Sequence, residues 1–244
     1  VNFAGIGAGG QGGGDINAMA RLGANVVALC DVDQAHAAST FKRFPKARVY
    51  KDFRQLLDKE EKNIDAVTVG TPDHIHAVAS MDAIRRGKHV YCEKPLAHTV
   101  YECRMMAEAG RRNKVATQLG NQGHSFHAIR EFCACIWSGA IGEVREVHAV
   151  QGGGGGGFNN IARVNEDHAV PKDLDWDLWL GPSAHRKYNP MYHPSAWRGW
   201  RQFGSGLLGD YLCHIVDPSY WALDLGAPTS IQADTEGYDP KTHF

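Results

Sequence analysis

Along the first half of the chain, short continuous apolar runs alternate with segments in which apolar residues recur every three or four positions. The runs suit strands covered on both faces of a parallel sheet, and the spaced segments suit amphipathic helices. The pattern predicts strands at 1–6, 25–31, Arg48–Tyr50, 64–70, 89–92 and 115–119. Between them it predicts a first helix striped by Ile16, Ala18, Met19, Ala20 and Leu22, then helices at 33–44, 53–57, 77–86 and Val100–Asn113. Pro45 closes the second of these and Gly87 caps the fourth. Repeated βα units of this length imply a doubly wound parallel sheet with right-handed crossovers.

The second half reads differently. A connecting helix is expected at 126–137, ended by Gly139 and Gly142, followed by an alternating strand at 143–150. Gly152 to Gly157 form an unbroken glycine run, expected to be a flexible loop because no strand-to-helix junction accompanies it. From there to Pro194 the chain is irregular, but Trp176, Trp179, Tyr188, Tyr192 and, just beyond, Trp197 favour an ordered wall that packs on a ring-shaped ligand. After Gly204-Ser205-Gly206, residues 209–217 read as a helix whose packed side carries Leu212, Ile215, Val216, Ser219 and Leu223, with a kink at Pro218. A strand is expected to begin at 228–233, in a sheet still unfinished at Phe244.

Composition removes several classes of function. With 26 basic and 27 acidic residues the formal charge is −1, so nothing favours nucleic acid or an anionic membrane. No apolar run approaches the ~18 residues that span a bilayer. Cys30, Cys92, Cys103, Cys133, Cys135 and Cys213 are scattered without a C-x-x-C pair, which suits reduced structural thiols and indicates no metal site. The 13 histidines do not by spacing select a ligand set. The chain starts without methionine and shows no leader, so cytoplasm and periplasm both stay open.

The first turn carries the most specific chemistry. Gly7-Ala8-Gly9-Gly10-Gln11-Gly12 has the spacing G-x-G-x-x-G between strand and helix. Gly7 can turn at positive φ, Gly9 lets a diphosphate approach the backbone, and Gly12 packs helix on strand. The helix N-terminus then offers free N–H groups to the phosphates. Asp31, ending the second strand, stands where a carboxylate holds adenosine ribose hydroxyls and repels a 2′-phosphate. These features together point to NAD in preference to NADP. Three further strand ends carry Thr71-Pro72-Asp73-His74-Ile75-His76, Glu93-Lys94-Pro95-Leu96 and Gly120-Asn121-Gln122-Gly123-His124. Read alone, Lys94 is either a solvent-facing charge before a turn or a site residue. Asp210 and His214 share one helical face, a spacing also common among surface pairs.

The glycine turn, Asp31, Thr71 to His76, Glu93-Lys94-Pro95 and Gly209-Asp210-x-x-x-His214 occur in an order that resembles the glucose–fructose oxidoreductase, inositol dehydrogenase and rhizopine-catabolism (Gfo/Idh/MocA) family. Leu174 to Pro182 and Trp197-Arg198-Gly199-Trp200 look like a branch found largely in bacterial carbohydrate catabolism. The resemblance implies a Rossmann domain at 1–121 and a C-terminal α/β domain at 122–244. That second domain would hold an open, mostly antiparallel sheet that joins a homo-oligomer, a dimer or tetramer. It implies Lys94, Asp210 and His214 as the catalytic set. Gly7, Gly9, Gly10, Gln11, Gly12, Asp31, Thr71, Pro72, His76, Glu93, Lys94 and Gln122 would be the cofactor contacts. The implied activity is NAD-dependent oxidation of a sugar, polyol or related cyclic alcohol. The alternative within the family is an NAD-assisted glycoside hydrolase that oxidises, eliminates, hydrates and re-reduces. In that route His214, or a tyrosine of the long loop such as Tyr188 or Tyr192, is a candidate for the second proton. A binding protein without catalysis has no need of Lys94, Asp210 and His214 together.

Overall fold

The computed structural model describes residues 1–151 and 161–234. Its first half runs β1 (Asn2–Ile6), α1 (Gly10–Arg21), β2 (Asn25–Cys30), α2 (Ala38–Arg43), β3 (Arg48–Tyr50), α3 (Phe53–Glu60), β4 (Ala66–Val69), α4 (Asp73–Arg85), β5 (His89–Glu93), α5 (Val100–Asn113) and β6 (Thr117–Gly120). The strands form one parallel sheet in the order β3-β2-β1-β4-β5-β6. This is the doubly wound architecture that the periodicity predicts. The order reverses beside β1, which places a crevice between the C-terminal ends of β1 and β4.

Alternation along the strands sorts the core into two layers. Phe3 and Leu29 pack with Ile16 and Ala37 under α1 and α2. Ala4, Ile6, Ala28, Cys30, Val67, Val69, Val90 and Cys92 pack on the other face with Leu56, Ile84 and Met106. Helix starts are fixed by local chemistry. Asp52 caps α3 by accepting the Arg54 N–H at 2.9 Å, and Thr99 and Glu102 form a capping box at α5.

Two helices start elsewhere than the sequence pattern suggests. The helix expected from residue 33 begins only at Ala38, because the Asp33 carboxylate accepts the N–H groups of Ala35 and His36 and holds a turn. Helix α4 begins at Asp73, four residues before the expected 77, which makes Asp73, His74 and His76 helical and buried.

The second half adds α6 (His127–Trp137), α7 (Trp176–Leu180), α8 (Gly206–Ile215) and α9 (Asp217–Ala222). Pro218 does not kink one helix; it sits in the first turn of α9, where a missing N–H costs nothing. The irregular stretch is ordered by its aromatic residues, as expected. Trp176 stacks on Trp179 at 4.7 Å, and both join Leu174, Tyr188, Tyr192, Trp197, Trp200 and Phe203 in a second core. This module docks on the sheet through its backbone: Gln34 N–H donates to Asp173 O (3.0 Å), Asp175 N–H to Val32 O (2.9 Å) and His74 N–H to Phe203 O (3.2 Å).

Segments 143–150 and 228–233 are not strands, contrary to both expectations. No ladder partner for either occurs among the described residues, and alternation without a partner leaves N–H and C=O groups to water. The glycine run at Gly152 to Gly157 and residues 235–244 lie outside the described residues. Among the described residues no helix is long and apolar enough to cross a membrane.

Helix α1 meets β1 and β4 through glycine. A Cβ on Gly12 would lie 2.0 Å from Gly7 O, whereas one on Gly14 would meet nothing within 4 Å. Gly12→Ala is therefore expected to destabilise by ~1–3 kcal/mol through overpacking. Gly14→Ala is expected to stabilise by ~0.5–1 kcal/mol through helix propensity. Paired thermal melts check both signs.

Candidate functional site

A cavity of about 1190 Å³ opens at the C-terminal ends of the strands, roofed by residues from 177 to 198 and by α8. Its floor is the glycine turn. Gly7 sits at φ +80°, and a Cβ there would lie 2.7 Å from the Gly70 carbonyl. Asp31 Oδ2 accepts the N–H groups of Ala8 (2.8 Å) and Gly9 (2.9 Å), and Oδ1 accepts that of Asp33 (2.9 Å). Burial pushes the Asp31 carboxyl up, and the three N–H donors pull it back only in part. The turn thus fixes the rotamer of the carboxylate it lies beside.

The residues present fit a dinucleotide. Helix α1 has no acid in its first turn and, among the described residues, no side-chain cap, so its leading N–H groups at the cavity are unclaimed by any described side chain. Thr71 Oγ1 is buried in the cavity wall without a hydrogen-bond partner among the described residues, a position a bound polar group would satisfy.

At the other end, Lys94 Nζ donates to Asp210 Oδ1 (2.5 Å) and Asp210 O (2.9 Å). Asp210 Oδ2 also pairs with Arg198 Nε at 3.3 Å, so this buried carboxylate serves two cations. His214, one turn along α8, lines the same cavity. Burial pushes its imidazole below the ordinary 6.5, the Lys94 charge adds to this, and the Asp210 charge opposes it. A neutral imidazole beside a fixed ammonium can take a proton while the ammonium holds a developing oxyanion.

Beneath this end lies a buried acidic pair. Gln122 Nε2 donates to Glu93 Oε1, and Gln11 Nε2 donates to Asp15 Oδ1 at 3.0 Å. Burial and the neighbouring Glu93 charge push Asp15 up to about 7.

Of the residues singled out from the sequence, Gly7, Gly9, Gly10, Gln11, Asp31, Thr71, Pro72, Glu93, Lys94, Gln122, Asp210 and His214 line this one cavity. Gly12 and His76 do not. Gly12 is the packing contact described above, and His76 is turned inward between two backbone carbonyls. Tyr188 and Tyr192 belong to the aromatic core and do not line the cavity, while Tyr211 does. Sequence reasoning missed His36 and His193, and named Arg198 within a motif without giving it a site role. The His36 ring packs so closely on Gly9 that a Cβ there would lie 2.1 Å away, and His193 Nε2 lies 3.3 Å from Asp33 Oδ2. The position of His36, five residues beyond Asp31, was the available signal; His193 had none, because it arrives from a distant loop.

A parallel sheet in this order, with an uncapped glycine turn at its switch point, defines a Rossmann-type dinucleotide-binding fold. The chain matches the model of an oxidoreductase family with an NAD-binding Rossmann fold over residues 1–121, and that family's C-terminal α/β domain over 156–242. It belongs to the Gfo/Idh/MocA oxidoreductase family, with a Rossmann parallel sheet followed by a separate α/β domain.

Among curated relatives, inositol 2-dehydrogenase 2 of Saccharopolyspora erythraea is 34% identical over 62% of this chain and 44% of its own length. Levoglucosan dehydrogenase of Pseudarthrobacter phenanthrenivorans is 27% identical over 78% of this chain and 40% of its own. The solved structure of an inositol dehydrogenase homolog from Azotobacter vinelandii, complexed with NADH and myo-inositol, is 28% identical with a TM-score of 0.52. It matches over 59% of this chain and 41% of that one. The chain spans less than half the length of the curated relatives it matches.

The acidic pair makes a stability prediction. Asp15 has a folded value raised from 3.8 to about 7, so the folded state binds the proton more tightly and loses stability as pH rises through that window. Asp15→Asn is expected to raise the melting temperature more at pH 8 than at pH 4. A gain of ~1 kcal/mol corresponds to about 2–4 °C for a chain of this size.

Proposed function

We propose that this chain forms the cofactor and catalytic site of an NAD-dependent oxidoreductase that acts on a CH–OH group of a sugar, polyol or related cyclic alcohol. The observation that carries the reading is the Lys94–Asp210 contact, with His214 beside it, in the same cavity as the uncapped glycine turn and Asp31. Residues 1–121 would hold the cofactor, and 122–244 the substrate and the partner protomer of a dimer or tetramer.

In this reading the α1 N-terminus and glycine turn hold the diphosphate, and Asp31 the adenosine ribose hydroxyls. A bound nicotinamide dinucleotide supplies the acceptor for the hydride that leaves the carbinol carbon. His214 takes the hydroxyl proton as the carbonyl forms, because its lowered pKa keeps it neutral and ready to accept. Lys94 stabilises the negative charge that develops on the oxygen, and Asp210 fixes the ammonium through two contacts. Trp197, Arg198 and Tyr211 complete the substrate end of the wall, with Lys94 Nζ 5.8 Å from the Tyr211 ring centroid.

A panel of sugars and cyclic alcohols with NAD in heavy water tests the reading. Expected are stoichiometric NADH and no solvent deuterium on carbon in the product. Deuterium at the carbon next to the oxidised one, with free aglycone and no accumulated NADH, would replace it with the redox-assisted glycosidase.

Two substitutions dissect the set. Lys94→Ala is expected to abolish turnover while NAD affinity, measured by titration, stays within about threefold, because the phosphates and ribose are held elsewhere. His214→Ala is expected to lower the rate by about 10² to 10⁴. The wild-type rate should fall as pH drops through a value below 6.5, where His214 becomes charged, and that limb should vanish in the variant.

A further inference from the structure

Helix α4 buries two histidines that the proposed reaction does not use. His76 is 1% exposed, with Nδ1 2.8 Å from Pro95 O and Nε2 2.7 Å from Thr71 O. Carbonyl oxygens only accept. A neutral imidazole carries one N–H, so one of these short contacts would set lone pair against lone pair. Only an imidazolium satisfies both. Thr71 follows β4, and Pro95 follows Lys94 after β5, so the two carbonyls belong to the two loops that line the cavity. We propose that His76 is held as an imidazolium cross-brace that donates to Thr71 O and Pro95 O, locks the two loops together and so positions Lys94 against Asp210.

The groups around the ring support this state: a buried carboxylate, and a thiol that donates to Leu96 O at 3.6 Å. Asp73, on the same helix and 2% exposed, and the Cys92 sulfur on β5 both face the ring. Asp73 accepts a hydrogen bond from Ser205 Oγ at 2.8 Å, directly before α8, and Asp210 and Arg198 lie beyond it. His74 and, behind it, His98 are the other titratable groups on this side, and Lys94 is the chain neighbour of Pro95. Burial pushes His76 down, but Cys92, Asp73 and the carbonyls outweigh it and lift the ring to about 9.

His74 is an internal control. It is buried on the same helix, with Nδ1 3.2 Å from Phe203 O and Nε2 3.0 Å from Trp179 O. It faces the Trp179 and Phe203 rings at 5.2 Å in place of an anion, and burial pushes it down to about 4. Phe203 O also receives the His74 backbone N–H, so a neutral ring donating to Trp179 O suffices there. Because the folded value of His76 lies above the ordinary 6.5, its contribution to stability is fully present below 6.5 and is lost as pH rises through about 9.

The charge state rests on the two short ring contacts with the buried Asp73 beside them; the consequence for Lys94 rests on the function proposed above. The test is ¹⁵N NMR of histidine-labelled, unliganded protein between pH 5.5 and 10. Expected at pH 7 is one buried histidine with both ring nitrogens protonated, titrating near 9, and another with a single N–H. His76→Gln assigns the first by its disappearance, or, should that variant not fold, through-bond correlation to the backbone assigns it in the wild type. A neutral His76 at pH 7 overturns the proposal. Amide exchange at 71–73 and 94–98 should be at least about tenfold faster in His76→Gln, as expected where a local contact is lost. If the variant does not fold, the same increase is sought in the wild type between pH 7 and pH 10, with intrinsic rates divided out. Unchanged exchange overturns the brace. In turnover, kcat should fall about tenfold with the NAD KM within about threefold, and an unchanged kcat removes the positioning role. A wild type that oxidises no alcohol sinks the function and leaves the imidazole spectra as they are.

Discussion

The contact between Lys94 and Asp210 joins residues 116 positions apart and sets the chemical end of the cavity. The two side chains are 16% and 9% exposed, so both charges have been taken largely out of water. Such a pair is stable only if its remaining donors and acceptors are satisfied. Here the Asp210 carbonyl takes a second hydrogen bond from the ammonium, and Arg198 takes the other carboxylate oxygen. Losing one partner of a buried pair typically costs ~3–5 kcal/mol, because the other charge stays behind. The geometry of the parallel sheet and of α8 therefore has to be right for this contact to exist at all.

That requirement explains the aromatic module. An irregular stretch of this length has few backbone hydrogen bonds of its own, and it is held by ring packing instead. Two of its indole N–H groups find backbone acceptors: Trp176 donates to Arg186 O at 2.7 Å, and Trp200 to Met191 O at 2.9 Å. The module then ties to the ends of β2 and α4 through backbone bonds, which are insensitive to side-chain motion. Its inner edge supplies Trp179, Trp197 and Arg198 to the cavity. A rigid wall of this kind holds site residues to a tolerance that a mobile loop would not.

Charge is distributed unevenly across the cavity floor. Asp31 is surrounded by backbone N–H donors, Asp210 by two cations, and Asp73 by a hydroxyl and a buried histidine. Asp15 and Glu93 are each met by an amide donor, from Gln11 and Gln122. Burial pushes the Asp15, Asp31 and Asp73 carboxyls up alike, and the hydrogen bonds and charges around each decide how far that rise is opposed.

Much of the first half was legible in the sequence because its determinants are local. A glycine at positive φ, a second that admits a close approach and a carboxylate at a strand end are backbone requirements that few residues meet. Strand runs buried on both faces likewise leave a continuous apolar signature. Tertiary structure decided the rest. Helix α4 extends back to Asp73 because His74 and His76 find their acceptors in Phe203, Trp179, Pro95 and Thr71, none predictable from the helix itself. Alternation at 143–150 carried a strand signal, but a strand exists only where a neighbour completes its hydrogen bonds. Arg198 and His193 entered the cavity through aromatic packing more than 100 residues from the strand ends they face, a distance at which sequence spacing carries no geometry.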